Sequence, residues 1–333
     1  MLRSRPFRIV LVVFAVLAVA GLALTYIPSD HYLVLPDRAR PTDPLVDIPG
    51  EESGAAGDGG IYMVDVRIGR ANLFERLFPG VHEGAELLPE HVINPAGVSD
   101  TQRRRSSLNE MSRSQLIAIT VALRRLGEEV DIEAVGAEVV LVQPDAPADG
   151  ELEVGDVIVE AQGDDVSSTS DLQRAMSDLS PGEEASLTVE RDEGEEVELT
   201  LATRASDQDP ERAVVGVQVQ DAEDFRFPVD IEIDAGSIGG PSAGLAFALN
   251  IVDELGDDVD GGRTIVATGE LTLDGDVLPI GGVKQKVIGA REAGADVFLV
   301  PERNAADARE AAEGLEIVGV SDLDAALSAL AAS

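Results

Sequence analysis

Two amines stand out against the rest of the chain. Of 25 Lys and Arg residues, only Lys284 and Lys286 are lysines, and both fall in Gly281-Gly282-Val283-Lys284-Gln285-Lys286. Arg stays protonated and cannot act as a general base, whereas a desolvated Lys can lose its proton near neutral pH. Upstream, Ser242 stands in Gly240-Pro241-Ser242-Ala243-Gly244. Pro suits the first turn of a helix, where its missing N–H costs nothing, and the small neighbours let another backbone come close. A Ser in that first turn has the positive helix end beside it. The backbone around Gly240, Ser242 and Ala243 is then placed to hold an oxyanion. The same residues also describe an ordinary helix cap with glycines for tight packing, and the lysines a surface pair.

A nucleophilic Ser needs a base. The chain has no Cys, and its three His, at 31, 82 and 91, lie far from Ser242 in sequence. A His-based triad within the C-terminal part is therefore excluded, and a neutral Lys is the remaining strong candidate. Val283, Val287 and Ala290 are the apolar neighbours available to dry the amine. Moving its pKa from about 10.4 to roughly 7–8 takes on the order of 3–5 kcal/mol. Lys284 and Lys286 are two apart on a helix and point in different directions, so spacing does not choose between them.

The rest of the composition narrows the partners. Without Cys there are no disulfides, thiol nucleophiles or thiolate metal sites. No His-based metal motif is present, and neither lysine follows a Gly as a Walker A loop demands, so no metal, nucleotide or other cofactor is expected. A formal net charge of -38 repels phosphate backbones, and the 3% of aromatics, with no Trp, offers no stacking platform. Nucleic acid is excluded as a partner on both counts.

The elements that must carry these residues follow from pattern. Residues 1–8 form a basic tail with Arg3, Arg5 and Arg8. Residues 9–29 are uncharged and long enough to span a bilayer as a helix, with Arg before and Asp30 after, so the N-terminus faces the cytoplasm and the bulk lies outside. Ala18-Val19-Ala20 leaves a cleaved signal peptide open as the alternative. Residues 30–60, rich in Pro and then Gly, read as an extended stalk. In 61–127, Ile61 to Ile68 alternates as a strand, 70 to 110 reads as irregular with Arg103–Arg105 in a solvated loop, and Met111 to Leu126 has helical spacing. This segment is a candidate to pack on the last domain. Residues 128–204 form a small β-rich domain with a helix at Ser170 to Leu179, followed by a polar linker, 205–213. From 214 to 333, strands and helices alternate as in an α/β core: Phe227 to Ile233 is a strand, Ser242 to Leu255 a helix, Leu271 to Leu278 a hairpin around Asp-Gly, and Lys284 to Ala293 a helix stopped by Gly294.

Two resemblances become specific at this point. Leu152-Glu153-Val154-Gly155-Asp156-Val157-Ile158, within its order of strands and helix, resembles a PDZ domain. That family takes an extended peptide by strand addition, and Gly136, Ala137, Glu138 and Val139 are the candidate carboxylate-binding segment. Gly240-Pro241-Ser242-Ala243-Gly244, Thr268-Gly269-Glu270 and Leu278-Pro279-Ile280-Gly281-Gly282-Val283-Lys284-Gln285-Lys286 resemble the Lon-type proteolytic domain, and the likeness continues through Val300-Pro301-Glu302-Arg303-Asn304. With the anchor, the whole resembles the membrane-anchored, PDZ-containing Lon-like proteases. The fold class this implies is an α/β (α+β) Lon-type proteolytic domain plus a small β-rich PDZ-like domain, preceded by one N-terminal transmembrane helix. The resemblance implies Ser242 as nucleophile, Lys286 as its base and Thr268 as the residue orienting the amine. Lon often has an acidic residue three positions before the Ser, but here that position is Gly239. The implied activity is ATP-independent cleavage of unfolded or flexible protein and peptide segments, with a hexameric ring of copies as the family's common assembly. The alternative is an inactive, membrane-tethered PDZ scaffold that binds peptides.

Overall fold

The computed structural model describes residues 5–50, 59–94, 98–191, 194–256 and 258–332. Its central sheet has five strands in the order Arg40–Pro41, Gly60–Met63, Thr264–Ala267, Val297–Pro301, Glu316–Val320. The last four run parallel, and Arg40–Pro41 closes one edge antiparallel. Parallel strands covered on both faces need uninterrupted apolar residues. Ile265, Val266, Ala267, Phe298, Leu299 and Val300 meet that need, each with no exposed surface. On one face pack a serine-proximal helix, Gly244–Leu255, and a long helix, Asp100–Arg125. On the other pack the lysine helix, Val283–Ala293, and Ala305–Ala311. Strand Gly60–Met63 and the long helix thus share the core of the C-terminal elements, although more than 100 residues separate them from those elements in the chain.

In chain order, between the long helix and the serine-proximal helix, comes a second sheet, ordered Glu195–Ala202, Glu184–Arg191, Val157–Ala161, Asp131–Val142, Val217–Arg226, with Asp164–Asp165 beside Val157–Ala161. It encloses its own core of Val139, Ile158, Leu172, Leu187 and Val189 among others. Its helix is Thr169–Met176 rather than Ser170 to Leu179, because Ser168 caps it by accepting from the Asp171 amide. Val217–Arg226, grouped by sequence with the last domain, is an edge strand of this sheet, paired along its length with Asp131–Val142. The expected linker closes as a short ladder, Arg204–Ala205 against Ala213–Val214. The strand expected at Phe227 to Ile233 shrinks to Glu232–Ile233, which pairs with Val46–Asp47.

Residues 28–50 do not form a stalk. Pro28–Pro36 is the middle strand of a three-stranded sheet with Val66–Asn72 and Glu86–Pro89, and fully buried Thr42 donates its hydroxyl to Ile61 O at 2.9 Å. The prolines misled because Pro28 and Pro36 end a strand, Pro41 lies on an edge and Pro44 opens a 3-10 turn, all positions that need no amide. The Gly-rich end, 51–58, lies outside the described residues. Arg103–Arg105 are helical, not in a loop. Ser99 accepts from the Gln102 amide while the Gln102 side chain returns to the Ser99 amide, a capping box that starts the long helix eleven residues before Met111.

The N-terminal helix is Arg5–Leu24, shorter at its end than the 9–29 reading. Its side chains are described from Val10, and Val10, Phe14, Leu17 and Val19 are all exposed. Among the described residues no helix is long and apolar enough to cross a membrane.

The Gly155-Asp156 turn has a structural reason. Asp156, 2% exposed, accepts from Arg191 Nε at 2.8 Å and Nη2 at 2.7 Å, and from the Glu153 amide at 2.9 Å. Leaving either charge unpaired there costs several kcal/mol. Asp156→Ala should therefore destabilise the second sheet by about 3–5 kcal/mol, read as lost hydrogen-exchange protection across Glu184–Arg191. Arg191→Lys, which keeps the charge without the fork, should cost less.

Candidate active site

The lysine helix decides which amine is available for chemistry. Lys284 points to solvent, whereas Lys286 is 2% exposed, among Val287 and Ala290. Lys286 Nζ donates to Ser242 Oγ at 2.7 Å and to Thr268 Oγ1 at 2.9 Å. Burial is the dominant influence and lowers its pKa from 10.5 to about 8, opposed by the negative charge of Asp65. Asp65, at the corner between Gly60–Met63 and Val66–Asn72, has its own pKa raised, first by burial and against the pull of Arg40, 3.4 Å away.

Thr268 follows strand Thr264–Ala267 and is wholly buried. Its amide donates to Leu299 O at 3.1 Å and its hydroxyl to Ser242 O at 3.1 Å. The Gly269 amide donates to the same Ser242 carbonyl at 2.8 Å. The hydroxyl of Ser242 is thus held toward the amine from one side of the peptide, and its carbonyl is tied to the Thr268-Gly269 turn from the other.

Ser242 itself is not in the helix. Gly244 is the first helical residue and Ala243 is its N-cap, in right-handed helical conformation and without a side-chain cap bond. The hydroxyl is therefore not spent on capping and is free to meet the amine. The amides of Ser242 and Ala243 make no hydrogen bond among the described residues, so both keep a donor for an oxyanion. Gly240 does not fit that role, because its amide donates to Ser107 O on the long helix at 2.7 Å. Its φ of +87° is one that glycine adopts without strain, and it turns the loop toward Ser242.

The peptide-binding candidates lie elsewhere. Gly136, Ala137, Glu138 and Val139 sit within strand Asp131–Val142, paired on one side with Val157–Ala161 and on the other with Val217–Arg226. A strand paired on both sides cannot offer a loop of free amides to a carboxylate. Glu138 instead accepts from Gln220 Nε2 at 2.7 Å and from Asn109 Nδ2 of the long helix.

Sequence reasoning also missed a cavity of about 340 Å³ next to the serine loop. Ser114 and Ile117 of the long helix, Val140 and Gln220 of the second sheet, and Pro241, Glu270 and Leu271 line it. Burial raises the carboxyl pKa values of Glu110 and Glu270 there, and the charge of Glu270 adds to the shift of Glu110. Glu270 was within reach of sequence as the third residue of Thr268-Gly269-Glu270; the lining from the second sheet was not. Asp253, Asp258 and Asp260 form a separate carboxylate group close enough to share an ion. Asp253 accepts from the Val259 and Asp260 amides, which closes the turn after the serine-proximal helix.

Fold and site together give a mixed α/β domain with a Ser–Lys pair, carrying a second β-sheet. Residues 212–332 match the Lon protease (S16) C-terminal proteolytic domain, and residues 101–203 match the PDZ domain. The chain is 42% identical over 107 residues to the Lon protease of Rickettsia felis, covering 30% of this chain and 14% of that one. It is 44% identical over 113 residues to Lon protease 1 of Sorangium cellulosum, covering 31% and 13%. The matched stretch is thus a small fraction of the length of these relatives. Among solved structures, the PDZ domain of the SdrC-like protein from Listeria monocytogenes is similar over 26% of this chain and 87% of its own, at 19% identity and a TM-score of 0.23. The Lon homology supports a serine peptidase, and the two domains fit protein or peptide substrates.

With only two lysines, the amine can be watched directly. In a chain labelled at lysine Cε, Lys286 should titrate near 8, with Lys284 as the second signal. Asp65→Asn removes the negative charge that favours the ammonium, so the Lys286 midpoint should move below 8. A midpoint unchanged in that variant contradicts the assigned influence of Asp65.

Proposed function

We propose that this chain is an ATP-independent, membrane-anchored serine endopeptidase that cleaves unfolded or flexible protein segments outside the cytoplasm, with Ser242 as nucleophile and Lys286 as general base. The observation that carries this reading is a buried amine 2.7 Å from a hydroxyl that caps no helix. Neutral Lys286 takes the Ser242 proton, and Oγ attacks the substrate carbonyl. The Ser242 and Ala243 amides stabilise the oxyanion, and Lys286 returns its proton to the leaving amine. Water, deprotonated by the same Lys, then releases the acyl group. Thr268 keeps Nζ directed at Oγ throughout.

ATP independence rests on the absence of a Gly-Lys-Ser/Thr loop in this chain. The anchor and its orientation rest on the uncharged run Ile9 to Ser29, the arginines before it and Asp30 after it. A ring of identical copies, six by resemblance, belongs to the same reading. It would be seen as a sixfold mass in native mass spectrometry of the detergent-solubilised chain.

The test is incubation of the full chain in detergent with an unstructured protein and no ATP. Ser242→Ala and Lys286→Ala should each lower cleavage by more than about 10³-fold with the fold retained. Lys286→Arg should be as inactive, because it keeps the charge but cannot become neutral. Since the base works unprotonated, kcat/KM should rise with pH and level off above about 8. Peptide binding without Ser242-dependent cleavage would support the scaffold instead.

A further inference from the structure

The long helix Asp100–Arg125 touches both the serine loop and the PDZ-like sheet, and it does so with opposite faces. Arg104, Ser107 and Ser114, spaced three and seven apart, share one side of a helix; Arg105, Ser106, Asn109 and Arg113 lie around the other. On the first side, Arg104 Nη2 donates to Ser237 O at 2.8 Å, Ser107 O accepts from the Gly240 amide at 2.7 Å, and Ser114 Oγ donates to Pro241 O at 2.8 Å. Contact is tight enough that a methyl group on Gly239 would run into Ser107, and one on Gly244 into Ser114. On the second side, Arg105 pairs with Glu153, Ser106 Oγ donates to Val140 O at 3.3 Å, and Asn109 donates to Glu138. Arg113 donates to Asp221 O at 3.3 Å and pairs with Glu223 at 2.8 Å.

The serine loop has few other holds. From Ser237 to Pro241, three of its backbone groups are bound by this one helix. Ser114 is 3% exposed, and its hydroxyl ends on the carbonyl of the residue immediately before Ser242. A shift of the helix along or about its axis therefore moves the peptide that carries the nucleophile, while Lys286 and Thr268 are held by other elements. Catalysis tolerates little such motion: a misplacement of about 1 Å can cost about 10²-fold.

We infer that Ser114 is a positioning residue for Ser242, and that the PDZ-like sheet, clamped to the far side of the same helix through Asn109–Glu138 and Arg113–Glu223, helps set that position. This rests on the proposed protease reading. Ser114 acts through the Pro241 carbonyl and does not touch the reacting atoms. Its loss lowers turnover without changing the titration of Lys286 or the affinity for substrate. The clamp residues lie farther away and act in the same direction.

The experiment uses the full chain in detergent, with a short internally quenched peptide as substrate and hydrogen exchange of residues 237–246 as a readout that needs no catalysis. Ser114→Ala should lower kcat about 10- to 100-fold, leave KM within about twofold, keep the pH midpoint near 8, and speed exchange of 237–246 about tenfold. Asn109→Ala and Glu138→Gln, on the PDZ side, should each lower kcat several-fold and speed exchange of the same segment. Should Ser114→Ala fail to fold, those two variants carry the decision. If kcat and 237–246 exchange stay at wild-type values in the folded variants, the inference is overturned. If wild type shows no Ser242-dependent cleavage, the protease reading falls, and the exchange arm alone decides whether the helix braces the loop.

Discussion

Everything at this site depends on one amine being kept out of water. Burial, which makes the ammonium costly, brings the pKa of Lys286 down to about 8, and residues outside the C-terminal elements add to the packing on its helix. The Ala39 amide donates to Gly289 O at 3.2 Å, and Gly289 lies so close to the Asp37 carbonyl that no methyl group fits between them. One turn away, buried Gln285 donates to Gly84 O at 2.8 Å. Val64 and Ala39 complete the apolar cluster around Val287 and Ala290. Residues 37–39, 64 and 84 therefore pack on the lysine helix across a long stretch of chain, and Asp65 beside them acts on the charge of Lys286 itself.

The same segment supplies the opposing influence. Asp65 pulls Lys286 toward its charged form, but it is itself half-buried and shares its charge with Arg40. An unpaired carboxylate at that place would hold the amine protonated to higher pH; no carboxylate would leave the protonated form without any nearby counter-charge. The observed arrangement lies between, with burial dominant. It also places the negative charge on a strand corner rather than three residues before the Ser, where Gly239 packs against Ser107 and leaves no room for a side chain.

The pairing of Ser242 with a lysine was more legible than the architecture around it. Lys usage and the Gly-rich Ser segment stood out because a rare residue type registers at single positions, whatever surrounds it. The choice between Lys284 and Lys286 was not readable from spacing, since it depends on which helix face meets Pro36 to Val66, a contact across more than 200 residues. The stalk reading failed for a similar reason: prolines mark absent amides equally in a free chain and at strand edges. Phe227 to Ile233, read as a strand, has only a two-residue partner, Val46–Asp47, to pair with. Gly136 to Val139 were candidates for carboxylate binding only through the PDZ resemblance, which does not show that both edges of the segment are paired. In the sheet Gly136 is where Val157 and the Ile158 carbonyl come too close for a Cβ.

The second sheet is attached at both ends beside the serine loop and the long helix. Its entry strand and exit strand are neighbours: Asp131 pairs with Arg226 at one end of a ladder that runs to Val142 and Val217. Arg226 adds ion pairs to Glu133 and Asp224 across and along that ladder. A module whose two ends leave together costs its host little in loop closure, which explains how it can stand between the long helix and the serine loop without parting them. A two-stranded base is also far stiffer than a single linker. The module's sheet therefore has little freedom to swing away from the helix it rests on, and Val140 and Gln220 stay in the wall of the cavity beside Pro241. The cavity beside Pro241 is thus walled by the second sheet and the long helix, together with Glu270 and Leu271.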